Sequence, residues 1–331
     1  MSESSFDYFS EIKERVPCNA CGERKAVILA RRSKNNLPVI TNLCPRCGLI
    51  YISPRMTQAG YARYYDFFYR ADRSAIKGKK EDGEHLNFAR AAQFGRALAR
   101  GLHNFFLPGL VIDVGSSTGG VLNGVREEIP GVELLGIEPS KAESSFAISR
   151  GIRTIQGLFE DVRSQELPRA GTILCVQTFN HLLDPRSFLY WAFDHLESDG
   201  HLVLAVKNFR HQVRRAGRID AGVQIDHPFM CTPEVLKRFV ESAGFKMVYL
   251  DVDEGKSASA LMRQKQEGLS IHHIRLVAAR AHDIRNETVM IPLSWWERAR
   301  MRFSFHPVIV YINYLFLYSY RTRLIRRLFH V

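Results

Sequence analysis

Between Leu110 and Ala281 the chain alternates between short apolar runs and longer segments with apolar residues at helical spacing. Leu110, Val111, Ile112 and Val114 form a continuous apolar run, the pattern of a strand buried on both faces of a parallel sheet. Further strands are predicted at Glu133–Glu138, Arg153–Gly157, Thr172–Gln177, after the Ser198-Asp-Gly200 turn up to Asn208, at Phe245–Val252 and at Ile274–Ala281. The intervening segments read as helices. Leu86–Leu102 is rich in alanine, Ser140-x-x-Glu143 forms a capping box, and Asp184-Pro185 supplies an N-cap and first turn for a helix through Leu196. Thr232-Pro233 opens another, with Val235, Leu236, Phe239 and Val240 on its inner face and a stop at Gly244. Strands alternating with helices predict an α/β fold with a doubly wound parallel sheet. Arg210 to Arg218 reads as a basic loop, and Lys77 to Glu84 as a polar hinge or linker.

The first strand runs into Gly115-Ser-Ser-Thr-Gly119-Gly120, where the backbone can turn sharply and approach a ligand. Asp113 interrupts the apolar run, and a buried carboxylate needs a polar partner above the strand end. The order of residues departs from the G-x-G-x-x-G of dinucleotide enzymes. Glu138 ends the second strand, 23 residues after Gly115, where a carboxylate can accept hydrogen bonds from ribose hydroxyls.

The turn resembles the D-x-G-x-G-x-G signature of class I S-adenosylmethionine-dependent methyltransferases, matched at Asp113, Gly115 and Gly119 with Ser117 in place of the middle glycine. That resemblance, spanning roughly Leu86 to Ala281, implies S-adenosyl-L-methionine as cofactor and a Rossmann-like seven-stranded methyltransferase sheet whose last two strands pair antiparallel at one edge. It implies that Leu158 and Phe159 sandwich the adenine, that Glu160 or Asp161 accepts from its amino group, and that Gln177 and His181 lie near the cofactor. Many members carry E-H-x-x-D-P after strand four, where this chain has Asn180-His181-x-x-Asp184-Pro185. His227-x-x-x-x-Thr232-Pro233-x-x-Leu236 resembles the substrate-side segment of small-molecule methyltransferases.

Ahead of this domain stand Cys18-x-x-Cys21-Gly and Cys44-x-x-Cys47-Gly, with 22 residues between the pairs. Two such knuckles present four thiolates tetrahedrally, which predicts a closed, structural Zn2+ site at Cys18, Cys21, Cys44 and Cys47. Unligated or redox-active cysteines are the alternative. With the ribbon in front, the arrangement resembles zinc-ribbon methyltransferases, some of which modify sugars. The expected domains are a zinc ribbon at 1–55, a methyltransferase domain with an N-terminal helical lid at 56–284, and a basic, aromatic C-terminal helical extension at 285–331. The lid rests on Tyr61, Tyr64, Tyr65, Phe67, Phe68 and Tyr69, which otherwise read as an aromatic helix packed on the main domain.

The net charge of +12 is concentrated, with seven arginines against one glutamate from Ser294 onward. A local basic tail fits this better than a nucleic-acid surface spread over the protein, so nucleic acid is disfavoured as a partner. Phe303 to Tyr320 carries no formal charge; Pro307, Asn313, Ser319 and four tyrosines make it a poor spanning helix. Interfacial membrane attachment and packing against the enzyme or a protein partner remain open for it. The N-terminal residues carry no secretory pattern, which points to a cytoplasmic protein, with the inner face of the membrane as the place where a peripheral anchor would hold it.

The expected activity is methyl transfer to a small-molecule acceptor such as a sugar or glycan precursor. His227 is the first candidate for a base, with Asp226 orienting it, and His181 the second. An RNA methyltransferase is the alternative enzyme; a non-catalytic scaffold of a glycan assembly complex is the alternative outside enzymes.

Overall fold

The computed structural model describes residues 6–65, 84–270, 273–281, 290 and 292–315. At the N-terminal end β1 (Lys13–Glu14) pairs antiparallel with β5 (Arg55–Met56). Between them β2 (Val27–Ala30), β3 (Thr41–Leu43) and β4 (Ile50–Ile52) form an antiparallel meander. Its fourth strand comes from far along the chain. Phe229–Met230 pairs antiparallel with β4, Phe229 opposite Tyr51 and Met230 opposite Ile50. The cysteine-bearing segment therefore does not close its own sheet.

The main sheet holds β6 (Leu110–Val114), β7 (Glu133–Glu138), β8 (Arg153–Gln156), β9 (Ala170–Val176) and β10 (Leu196–Lys207) in parallel. The Phe229–Met230 strand is β11. β12 (Phe245–Val252) and β13 (His273–Arg280) complete the edge in the order β12-β13-β10-β9-β6-β7-β8. β13 is antiparallel to both of its neighbours. Every residue of β6 and β9 is buried, as continuous apolar strands covered by helices must be, whereas β12 alternates exposed and half-buried positions at the edge after a buried Phe245. The expected doubly wound, seven-stranded sheet is present, together with the N-terminal cysteine cluster and C-terminal helices. The order in which the chain lays down its strands reverses between β6 and β9, which are parallel, and this opens a crevice at their carboxyl ends.

The helix Glu84–Gly101 packs against the helix Gly120–Glu128 at backbone distance. A Cβ on Gly124 would lie 2.1 Å from the Ala92 carbonyl oxygen, and one on Gly120 2.5 Å from that of Phe88. Gly120 thus serves helix packing, not ligand approach. Arg96 with Glu127 and Arg100 with Glu128 bridge the same two helices at the surface.

Two expectations are corrected. The basic loop at 210–218 is a helix, Phe209–Ala216, capped by the Asn208 side chain and ended by Gly217. It forms because Arg210 is buried between Glu234 and Glu254, with Arg214 also on Glu254. The Ser198-Gly200 turn lies inside β10, which starts at Leu196 and shifts register before His201. The helices starting at Ser140, Pro185 and Pro233 fall where expected. Phe67, Phe68, Tyr69 and the Lys77–Asp82 stretch lie outside the described residues, as does 316–331.

Candidate functional site

At the carboxyl end of β6, Gly115 takes φ +79°, and its N–H donates to the Ile137 carbonyl on β7 at 2.8 Å. A side chain there would strike Thr178, whose Oγ1 is 2.2 Å from the position of a Cβ. Only glycine meets both demands. Ser117 also has positive φ, +50°, and so does Gln177 at the end of β9, +56°. Non-glycine residues in that region carry strain, which concentrates at functional sites.

The turn is held to the next strand by Glu138. Its Oε2 accepts the Ser117 N–H and its Oε1 the Ser140 N–H, both at 2.8 Å. The capping box expected at Ser140 is therefore rearranged: the Ser140 side chain accepts the Glu143 N–H at 3.4 Å, while its own N–H goes to Glu138. When ionised, each carboxylate oxygen keeps a second lone pair for a ligand hydroxyl. Burial, followed by the nearby Glu143 charge, pushes the Glu138 carboxyl up to about 8. Asp113 is also buried and raised well above its usual range by desolvation, while a backbone hydrogen bond from Val176 opposes that rise. One oxygen of Asp113 has no protein partner.

These residues open onto a cleft of about 700 Å3, part of it open to solvent. Gly115, Ser117, Glu138, Leu158, Phe159 and Gln177 line it, together with Ser140, Glu143 and Thr178, which local sequence did not single out. Asp113 and Gly119 lie behind the wall. Phe159 is anchored edge-on against Phe188 and Trp191, with ring centroids 5.4 Å away in each case. Both acids of the following turn already hold protein donors. Glu160 accepts the Leu183 N–H at 2.8 Å, and Asp161 accepts from Gln58 at 3.0 Å. Only Glu160 of the two lines the cleft.

Tyr65, His181 and Leu182 line the same cleft. Tyr65 Oη lies 2.8 Å from His181 Nδ1, and Asp226 Oδ2 lies 3.8 Å from the same nitrogen. The His227 ring packs edge-on against that of His181 with centroids 4.6 Å apart, and its Nε2 is 3.9 Å from Asp226 Oδ1. Gln224 Nε2 stands 3.3 Å from both His227 ring nitrogens. His227 is 2% exposed and does not line the cleft. The two histidines and Asp226 thus come together, with His181 in front and His227 behind. Of the aromatic residues expected to form a lid, Tyr61 and Tyr64 are buried packing residues, and Tyr65 alone reaches the cleft among those described.

The four N-terminal cysteines converge from two similar loops. Cys18 and Cys44 each accept from the glycine four residues on, Gly22 at 2.9 Å and Gly48 at 3.0 Å. Cys18 Sγ is 3.5 Å from Cys47 Sγ and Cys21 Sγ is 3.5 Å from Cys44 Sγ, with all four sulfurs within 4.8 Å of one another. A tetrahedron with metal–sulfur bonds of 2.3 Å has edges of about 3.8 Å, so the sulfurs surround a volume of the right size for zinc. The cluster is tied to the cleft. Asn19 and Arg55 both donate to the Leu183 carbonyl at 3.1 Å, two residues beyond His181.

One consequence concerns acidity. An ordinary glutamate titrates near 4.5, whereas Glu138 in the fold does so near 8, so between these values the folded protein holds a proton that the unfolded chain has released. This contribution to stability is present below pH 4.5 and is lost as pH rises through 8. Raised Asp113 acts in the same direction. The melting temperature of the protein without nucleoside should therefore fall across this window, and Glu138→Gln should flatten the slope. Equal slopes for the two proteins would remove the assignment.

The doubly wound sheet carries a carboxylate-bearing cleft at its switch point, the place where α/β proteins of this architecture bind ligands. A family model described as a methyltransferase domain matches residues 81–250, half of the chain, and the protein belongs to that family. No curated protein matches the chain. Among solved structures it is similar to the plantazolicin methyltransferase BpumL in complex with SAH, at 13% identity over 67% of this chain and 94% of that one, TM-score 0.47. An S-adenosylmethionine dependent methyltransferase from Mesorhizobium loti is 15% identical over 56% of this chain and 98% of that one, TM-score 0.44. One from Clostridium acetobutylicum is 10% identical over 65% and 98%, TM-score 0.44.

Proposed function

We propose that the protein transfers a methyl group from S-adenosylmethionine to a small, uncharged polar acceptor such as a sugar or glycan precursor, and that the cysteine cluster holds a structural zinc ion. The observation that carries this reading is one cleft lined both by Gly115, Ser117 and Glu138 and by Tyr65 and His181. When bound, S-adenosylmethionine supplies an already activated methyl group on a sulfonium, so alignment is the main demand on the protein. Glu138 accepts hydrogen bonds from vicinal hydroxyls, while Leu158 and Phe159 offer an apolar wall to a flat base. Gln177, held in its strained conformation, presents its side chain along the same wall.

His181 is the base where the acceptor must lose a proton. It lines the cleft, Tyr65 fixes its Nδ1 side, and Asp226 lies close enough to stabilise the imidazolium. His227 supports it from behind. The class of acceptor follows from charge. No lysine or arginine lines the cleft among the described residues. Nothing described there pairs with a phosphate backbone, which speaks against RNA.

Calorimetry with S-adenosylhomocysteine tests the reading. Binding is expected to release a proton near pH 7, because hydroxyl donors favour the ionised form of the raised Glu138 carboxyl. Titrations in buffers of different ionisation enthalpy measure that proton, and Glu138→Gln should remove it. Folded protein that gives no heat with the nucleoside would end the proposal. The acceptor is then sought by mass gain on neutral sugars.

A further inference from the structure

We propose that the helices Trp295–Ser304 and Pro307–Asn313 form a docking surface for an anionic lipid bilayer. Both are fixed on the protein by their inner faces. Leu293, Met301, Phe305 and Val310 are buried; Phe305 packs on Phe209 with centroids 5.6 Å apart, and the Leu293 N–H donates to the Arg46 carbonyl at 2.7 Å. Glu297 completes a capping box with Ser294 and pairs with Arg238, while Arg300 reaches Glu234 at 2.9 Å. The outward face is then held in place with its aromatic residues in solvent. Trp296 is 75% exposed and Trp295 and Phe303 62% each; on the second helix Val308 and Tyr311 stand out at 56% and 54%. Trp296 and Phe303 are seven residues apart and share one side of their helix.

Charge decides what covers this surface. The helix Trp295–Ser304 carries three arginines, Arg298, Arg300 and Arg302, and one acid, Glu297, which is already engaged by Ser294 and Arg238. Arg298 and Arg302 are exposed beside the indoles. Tryptophan, tyrosine and arginine around an apolar patch are the composition that settles at a headgroup layer, and a second copy of so basic a face would be repelled. No helix among the described residues is long and apolar enough to cross a membrane. This inference is independent of the methyl-transfer reading.

The test is cosedimentation of the full-length protein with vesicles of phosphatidylcholine, alone or with about one third phosphatidylglycerol. Binding is expected only with the anionic vesicles, and about tenfold or more weaker when salt is raised well above physiological strength. The chain has three tryptophans, and Trp191 is only 6% exposed, so a blue shift of emission on binding reports on Trp295 and Trp296. Arg298→Gln with Arg302→Gln should weaken binding by about fivefold per arginine. Trp295→Ala with Trp296→Ala should weaken it by about tenfold or more. Unchanged melting and unchanged S-adenosylhomocysteine binding certify the fold of both variants. Failure to bind either vesicle, equal binding to neutral vesicles, wild-type binding by both variants, or a tryptophan-dependent dimer in place of lipid binding would each overturn the proposal.

Discussion

Cys44→Ser should abolish stoichiometric zinc and cut transfer activity by about a hundredfold while leaving S-adenosylhomocysteine affinity within a few fold. A closed four-thiolate site contributes on the order of 10 kcal/mol to the folding of the segment that carries it. Without it the β2–β4 meander has little core of its own, since its three strands contribute only ten residues. The damage travels along identified contacts. β11, opposite β4, begins two residues after His227, and the Leu183 carbonyl that Asn19 and Arg55 hold lies two residues beyond His181. Both connections lead to the segments that carry His181 and His227. Gly115, Ser117 and Glu138 rest instead on β6 and β7, which have no strand in common with the meander. Metal content by atomic emission, turnover and calorimetry on the same preparation check this. One zinc per chain in the variant, or full turnover without zinc, contradicts it.

The main sheet was readable because of how its strands are buried. Strands covered on both faces must be apolar at consecutive positions, so Leu110–Val114 and the Thr172–Gln177 run stand out without reference to anything distant. Glu138 was equally legible, as an acid ending such a run. Helix starts at Ser140, Asp184 and Thr232 follow from local hydrogen bonding and from proline, and these too are written in neighbouring residues.

What the sequence hid depends on partners far apart. Arg210 looks like part of a solvated basic loop until Glu234 and Glu254, 24 and 44 residues away, are seen to surround it. β11 is two residues long and has no period to detect; only β4 gives it a partner. Gly120 lies in the run that marks a ligand turn, yet the helix 84–101 is what requires it. The histidines show the same limit. Asp226-His227 is a suggestive dipeptide, so local reading puts His227 first. The contact between Tyr65 and His181, 116 residues apart, brings His181 to the cleft and leaves His227 in the interior.

That order yields the second large effect. His181→Ala should lower kcat by about a hundredfold to ten-thousandfold if a proton leaves the acceptor, with S-adenosylhomocysteine affinity nearly unchanged. The side chain lines the cleft, whereas the groups assigned to the nucleoside, Gly115, Ser117 and Glu138, are held by their own backbone hydrogen bonds. His227→Ala removes a ring packed edge-on behind His181 and a group 3.9 Å from Asp226, so it should act only through the position and charge of its neighbour, at about tenfold. Asp226→Asn keeps the shape but removes the charge 3.8 Å from His181, which lowers the basicity of the imidazole. Its activity profile should therefore shift its ascending limb to lower pH, while His181→Ala should lose that limb. The pH dependence of kcat separates these roles because a residue that merely packs moves no limb. If His227→Ala abolishes turnover and His181→Ala does not, the base is the inner histidine, and the acceptor must approach from the side of Gln224.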